Sequence, residues 1–119
     1  MAMRMMYPRP KESEIQAKVV EYARSKGVTA IKLSTQGFYG ATGYPDFLFL
    51  WEGHHPLFIE FKRPGGTIEP HQIERMERLK KKGFIVTLCS SVIYGKQEID
   101  RWLGNERLRG LHKSGKWTK

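Results

Sequence analysis

The chain has 119 residues, enough for one domain with a single modest core. Lys and Arg number 21 against 12 Asp and Glu, a net charge of +9, and that excess favours a polyanionic partner, because each phosphate neutralised releases condensed counterions. With 39% apolar residues, no apolar run near the roughly 18 residues that cross a bilayer, and no apolar core for a secretory signal in MAMRMMYPRPK, a cytoplasmic protein without membrane partners is expected.

Residues 1–11 carry prolines and no periodic pattern, and read as an N-terminal arm. From Lys11 to Lys26 the pattern is helical, with Ile15, Val19, Tyr22 and Ala23 on one stripe and Gly27 as the stop. VTAIKLST alternates as a strand, and QGFYGATGY, rich in glycine, is a loop. DFLFLW and PLFIEFK are two strands joined by the turn EGHHP, which makes them an antiparallel hairpin. After the loop RPGGTIE, PHQIERMERLKKK is an amphipathic helix opened by Pro70 and stopped by Gly83, with Ile73, Met76 and Leu79 as its buried face. FIVTLC is an apolar strand whose single cysteine, Cys89, reads as a small buried hydrophobe. A helix to about Leu103 follows, anchored by Val92, Ile99 and Trp102, and residues 104–119 form a basic tail. The order αβββαβα describes an α/β fold, one layer of mixed sheet flanked by helices.

The hairpin carries the chemistry. Strand period places Glu60 and Lys62 on one face, with Phe61 turned to the other, and antiparallel pairing brings Asp46 beside them. Two carboxylates and a lysine converging at one end of a sheet call for a compensating charge, which a hard divalent cation supplies. Mg²⁺ commonly takes one or two carboxylates together with water and substrate phosphate. Lys62 would then orient or deprotonate a water, or steady the phosphate.

Pro45-Asp46 followed by Glu60-Phe61-Lys62, 60 − 46 = 14 positions on, resembles the PD-(D/E)XK nuclease signature. More narrowly, Gly43-Tyr44-Pro45-Asp46, Ile59-Glu60-Phe61-Lys62 and the helix opening Pro70-His71-Gln72 resemble the virus-type replication-repair nuclease (VRR-NUC) domain, over residues 12–103. The resemblance implies a restriction-endonuclease-like fold and a Mg²⁺- or Mn²⁺-dependent DNA endonuclease. It implies that Asp46, Glu60 and the backbone carbonyl of Phe61 hold the metal, that Lys62 positions the attacking water, and that Gln72 supports the site. A glutamate on the first helix completes such sites. The family's E-x-x-I-Q pattern selects Glu12, with Glu14 the rival and Glu21 third. Stand-alone members of the family are homodimers that cut four-way junctions, which implies branched DNA as the substrate, a homodimer here, and a bacterial or phage replication or repair setting.

Phosphate contacts are expected from Arg63, from Lys80, Lys81 and Lys82, and from the tail's Arg107, Arg109, Lys113, Lys116 and Lys119. Phe38 and Tyr39 are placed to stack on an unpaired base. His54 and His55, at the far end of the hairpin, read as turn residues and not as metal ligands. A dimer interface is sought in Met3, Met5, Met6 and Tyr7, or in Trp102 and Trp117. Two other functions fit the same residues, a DNA-binding module without catalysis and an RNA nuclease.

Overall fold

The computed structural model describes residues 9–33 and 43–104. Its elements run α1 (Glu12–Ser25), β1 (Thr29–Lys32), β2 (Phe47–Leu50), β3 (Leu57–Phe61), α2 (Pro70–Lys81), β4 (Ile85–Cys89) and α3 (Val92–Gly104), the expected αβββαβα order. The first two helices end alike. At α1 the Gly27 N–H donates to Arg24 O at 3.0 Å and Val28 N–H to Ala23 O at 3.1 Å. At α2 Gly83 N–H reaches Lys80 O and Phe84 N–H reaches Leu79 O. This paired return of donors satisfies carbonyls that the helix end would leave without partners, and it needs a left-handed residue, here glycine.

The four strands lie in the order β1-β2-β3-β4. The first three pair antiparallel, β2 and β3 through the short turn 51–56, whereas β3 and β4 pair parallel because α2 is the crossover between them. Phe47, Phe49, Leu57, Ile59, Phe61 and Cys89 face the core, against Ile15, Val19 and Ala23 of α1 and Ile99 and Trp102 of α3. Burying each large side chain contributes roughly 1.5–3 kcal/mol. Alternation then turns Glu60 to the opposite face, where α2 lies. That alternation positions the site.

Two packing expectations, the burial of Ile73 and an interface role for Trp102, are corrected, and the place of FIVTLC in the sheet is now defined. Ile73 is not on the buried face of α2: it is 47% exposed, Met76 alone is buried there and Leu79 is half-buried. The apolar strand FIVTLC is an edge strand, in which only Cys89 is buried and Phe84 and Leu88 are exposed. Trp102 is not available to an interface, since it sits in the core with its indole N–H on the His55 carbonyl at 2.8 Å. His54 joins this arrangement, with Nε2 3.0 Å from Leu103 O and its ring edge-on to Trp102. The hairpin turn is thereby tied to the end of α3, a structural task that accounts for one of the two turn histidines. Val92 is half-buried against the core.

Candidate active site

The site forms where β2 begins, β3 ends and α2 starts. Asp46 stands just before β2, and its Oδ2 accepts the Phe61 backbone N–H at 2.8 Å. The carboxylate therefore takes the place of a strand carbonyl at the point where β2 pairing runs out. In a strand a residue's N–H and C=O point the same way, so the Phe61 carbonyl also opens toward Asp46. The Phe61 ring is fully buried on the core side. Lys62 N–H continues the ladder to Cys89 O on β4 at 2.9 Å. Two successive residues thus have their backbones tied to opposite neighbours, and Glu60 and Lys62 project from a fixed strand end.

The loop that delivers Asp46 is seated on α2. Gly43 has φ +90°, and a Cβ there would meet His71 Cδ2 at 2.9 Å and the His71 carbonyl at 3.0 Å. Glycine at this position allows the backbone to touch the helix. Arg75 lies over the Tyr44 ring at 4.6 Å and holds the next residue down. The glycine of the G-x-P-D pattern is a packing requirement of the α2 contact.

Gln72 links the groups of opposite charge. Its Oε1 accepts from Lys62 Nζ at 3.0 Å and from Glu69 N–H at 2.9 Å, while its Nε2 donates to Glu60 Oε2 at 2.9 Å. Lys62 Nζ is 3.5 Å from the same Glu60 oxygen. An amide side chain suits this place because it offers an acceptor to the ammonium and a donor to the carboxylate at once.

Electrostatics single out Glu60. It is 2% exposed, and its Oε1 is buried with no hydrogen-bond partner. Burial, and then the Asp46 charge, push its carboxyl up to about 7, against the pull of Lys62. Burial also raises Asp46 and Glu12. Glu12 is lifted further by Asp46 and pulled back by Lys62 and Lys32, which puts it within the electrostatic reach of the other two carboxyls. Glu14 is engaged elsewhere: its Oε1 accepts the Lys11 backbone N–H at 2.9 Å and caps α1. Glu21 is exposed.

Among the described residues no three His, Cys, Asp or Glu side chains close into a ready cage. A hard cation that keeps several waters does not need one. An unpartnered, buried carboxylate oxygen beside a second carboxylate and a backbone carbonyl fits Mg²⁺ or Mn²⁺.

Of the expected phosphate contacts, Arg63, Lys80, Lys81 and Lys82 are exposed, and Lys80 pairs with Glu77 at 3.8 Å. Arg107, Arg109, Lys113, Lys116, Lys119 and Trp117 lie outside the described residues, as do Phe38, Tyr39 and Met3 to Tyr7. Sequence reasoning passed over Lys32, whose charge acts on both Asp46 and Glu12. Its only signal was a cation between Ile31 and Leu33 in the strand segment.

The sequence matches the family described as the VRR-NUC domain over residues 6–93. A solved structure titled "VRR_NUC domain" is similar with a TM-score of 0.65 and 27% identity, over 76% of this chain and 96% of that one. A second, titled "VRR_NUC domain protein", has a TM-score of 0.63 and 21% identity, over 81% of this chain and 90% of that one, and supports the fold. No curated protein matches. The match covers well over half of the chain, which therefore belongs to the VRR-NUC family of nuclease domains.

Proposed function

We propose that this protein is a Mg²⁺-dependent endodeoxyribonuclease, served also by Mn²⁺, that cuts branched DNA, four-way junctions foremost, as a homodimer. The observation that carries the metal-dependent reading is Glu60 Oε1, buried without a partner on the face that Asp46 shares. Such an oxygen costs about 1–3 kcal/mol unless something binds it. Asp46, Glu60 and the Phe61 carbonyl would hold the ion, with Glu12 at its margin. When bound, the ion supplies Lewis acidity toward the scissile phosphoryl group. Lys62, fixed by Gln72, orients the attacking water and donates to the phosphate as charge builds there. Gln72 bonds both partners of the Lys62–Glu60 ion pair, 3.5 Å apart, and fixes their orientation.

The net charge of +9 supports a polyanionic substrate. DNA is preferred to RNA because, among the described residues, the strand phenylalanines Phe47, Phe49 and Phe61 are buried in the core and not free to stack on bases as in the common RNA-binding sheet. One site cuts one strand, and a two-fold pair of sites matches the two incisions a symmetric junction needs. Phe84, Leu88, Ile93 and Tyr94 are exposed apolar side chains around β4 and the start of α3, surface a second copy would cover.

Labelled junction, flap, nicked and linear duplex, with an RNA control, incubated in Mg²⁺, Mn²⁺ or EDTA, test the proposal directly. Cleavage is expected only with metal, fastest on the junction, and lost in Lys62→Ala with binding retained. Cleavage in EDTA, or wild-type turnover by Lys62→Ala, refutes the mechanism. A monomer in light scattering that cuts linear duplex as fast as junctions removes the dimer and the branched substrate.

A further inference from the structure

Beside the carboxyls lies a pocket of about 220 Å³, bounded by Arg9, Pro10, Lys11, Glu12, Arg63, Pro64 and Gly65. With a water taking ~30 Å³, it has room for a phosphodiester and several waters. It brings together three cations and one carboxylate. Among the described residues, none of the three cations forms an ion pair with a carboxylate.

The pocket is built, and not a chance meeting of side chains. Arg63-Pro64-Gly65-Gly66 is a tight turn closed by Gly66 N–H on Arg63 O at 2.9 Å, with proline second and a positive-φ glycine third. This turn follows Lys62 directly, so Arg63 leaves the strand end at a set angle. Arg9 Nη1 donates to Pro64 O at 3.2 Å and lies across Gly65, where a Cβ would stand 2.5 Å from that nitrogen. The residues before α1 are in this way tied to the loop after β3. Guanidinium has five N–H donors, and the Pro64 carbonyl takes one of Arg9's. Glu12 lines the pocket and is within the electrostatic reach of Asp46 and Lys62, which places the pocket beside the candidate active site.

We infer that this pocket seats the backbone phosphate next to the one that is cleaved, with Arg9, Lys11 and Arg63 as its cationic walls. The inference rests on the nucleic-acid-cleaving reading above. Two cations brought from opposite ends of the site, one by the segment before α1 and one by the turn after Lys62, fix the register of the strand across it. Contacts of this kind position the substrate without reading its bases.

Full-length wild type, Arg9→Ala, Arg63→Ala and, as a control on α3, Lys96→Ala are titrated against a fluorescein-labelled four-way junction in EDTA. Anisotropy is recorded from 50 to 300 mM salt, where each lost phosphate contact flattens log K against log salt by about 0.9. Arg9→Ala and Arg63→Ala should each flatten it by about that much and weaken binding several-fold, with Lys96→Ala unchanged. A junction carrying one neutral methylphosphonate next to the mapped cleavage position should bind wild type less tightly and Arg9→Ala no differently from the unmodified junction. Gly65→Ala, which displaces Arg9, should resemble Arg9→Ala. A wild-type slope in either Arg9→Ala or Arg63→Ala overturns the seat. Failure of the wild type to bind the junction at any salt overturns the nucleic-acid reading itself, so the two failures are distinguishable.

Discussion

Glu60→Gln removes a charge that the fold holds at a cost. The carboxyl is 2% exposed, and burial followed by the Asp46 charge lifts it from 4.5 to about 7. The difference, 7 − 4.5 or about 2.5 pH units, corresponds to ~3 kcal/mol at about 1.4 kcal/mol per unit. Because the folded value lies above the unfolded one, the unfolded chain gives up this proton first. Between about pH 4.5 and 7 the unfolded state therefore holds fewer protons, and stability falls as pH rises. The contribution is complete below pH 4.5 and lost above about 7. Glutamine has nearly the same shape, can still accept from Gln72 Nε2, and has no proton to lose. Urea denaturation in EDTA from pH 4 to 8 should show the variant gaining on the wild type by ~3 kcal/mol across that range. Mg²⁺ at pH 8 should then stabilise the wild type, by about 2.7 kcal/mol at a hundredfold excess over its dissociation constant, and leave the variant unmoved. The variant should not cleave DNA. Parallel pH profiles for the two proteins would show that the buried carboxylate carries no such cost, and the argument for a metal at Glu60 would lose its footing.

Gln72→Ala breaks the link between Lys62 and Glu60, and turnover should fall by about 10–100-fold with the far-ultraviolet spectrum unchanged; activity within twofold of wild type would make Gln72 a helix cap alone. Glu12→Gln should reduce cleavage strongly, whereas Glu14→Gln keeps an oxygen that can accept the Lys11 N–H and should cost only the charge at the α1 N-terminus, about 0.3–1 kcal/mol, while turnover holds. The reverse pattern, read from single-turnover rates beside urea melts, would move the helix glutamate to position 14. Gly95→Ala places a methyl 2.5 Å from Val19 Cγ2 and 3.0 Å from Cys89 Sγ. Overpacking of about 1–3 kcal/mol should exceed the roughly 1 kcal/mol gained in helix propensity. A more stable variant in the same melts would contradict that close contact between α1 and α3.

What the sequence determined by itself is local and periodic. Residue spacing along the chain specified the two helices stopped by Gly27 and Gly83, the alternating hairpin strands and the order αβββαβα, because these depend on neighbours one to four positions apart. The same period set Glu60 and Lys62 on one face and turned Phe61 into the core, and antiparallel pairing predicted that Asp46 would stand beside them. Composition supplied the net charge of +9 on which the proposed polyanionic partner rests. Whatever depends on which surfaces meet was decided by tertiary structure. Ile73 fits a helical stripe yet is exposed, because α2 sits on one edge of the sheet and buries only Met76. FIVTLC reads as an apolar strand with no assigned place in the sheet, and it is the α2 crossover that puts β4 at the edge beside β3. Trp102 and His54 are 48 positions apart in sequence, and only the closure of α3 over the hairpin turn makes them partners. Glu12 and Glu14 are equivalent by composition. The helix start separates them, giving one carboxylate to the Lys11 cap and leaving the other facing the charges of Asp46 and Lys62. Arg9 drew no attention in the sequence, since its meaning comes from the Pro64 carbonyl and the bare glycine it crosses, 55 and 56 residues away. Periodicity can assign a residue to a face, but the neighbour across that face is supplied by the packing of distant elements.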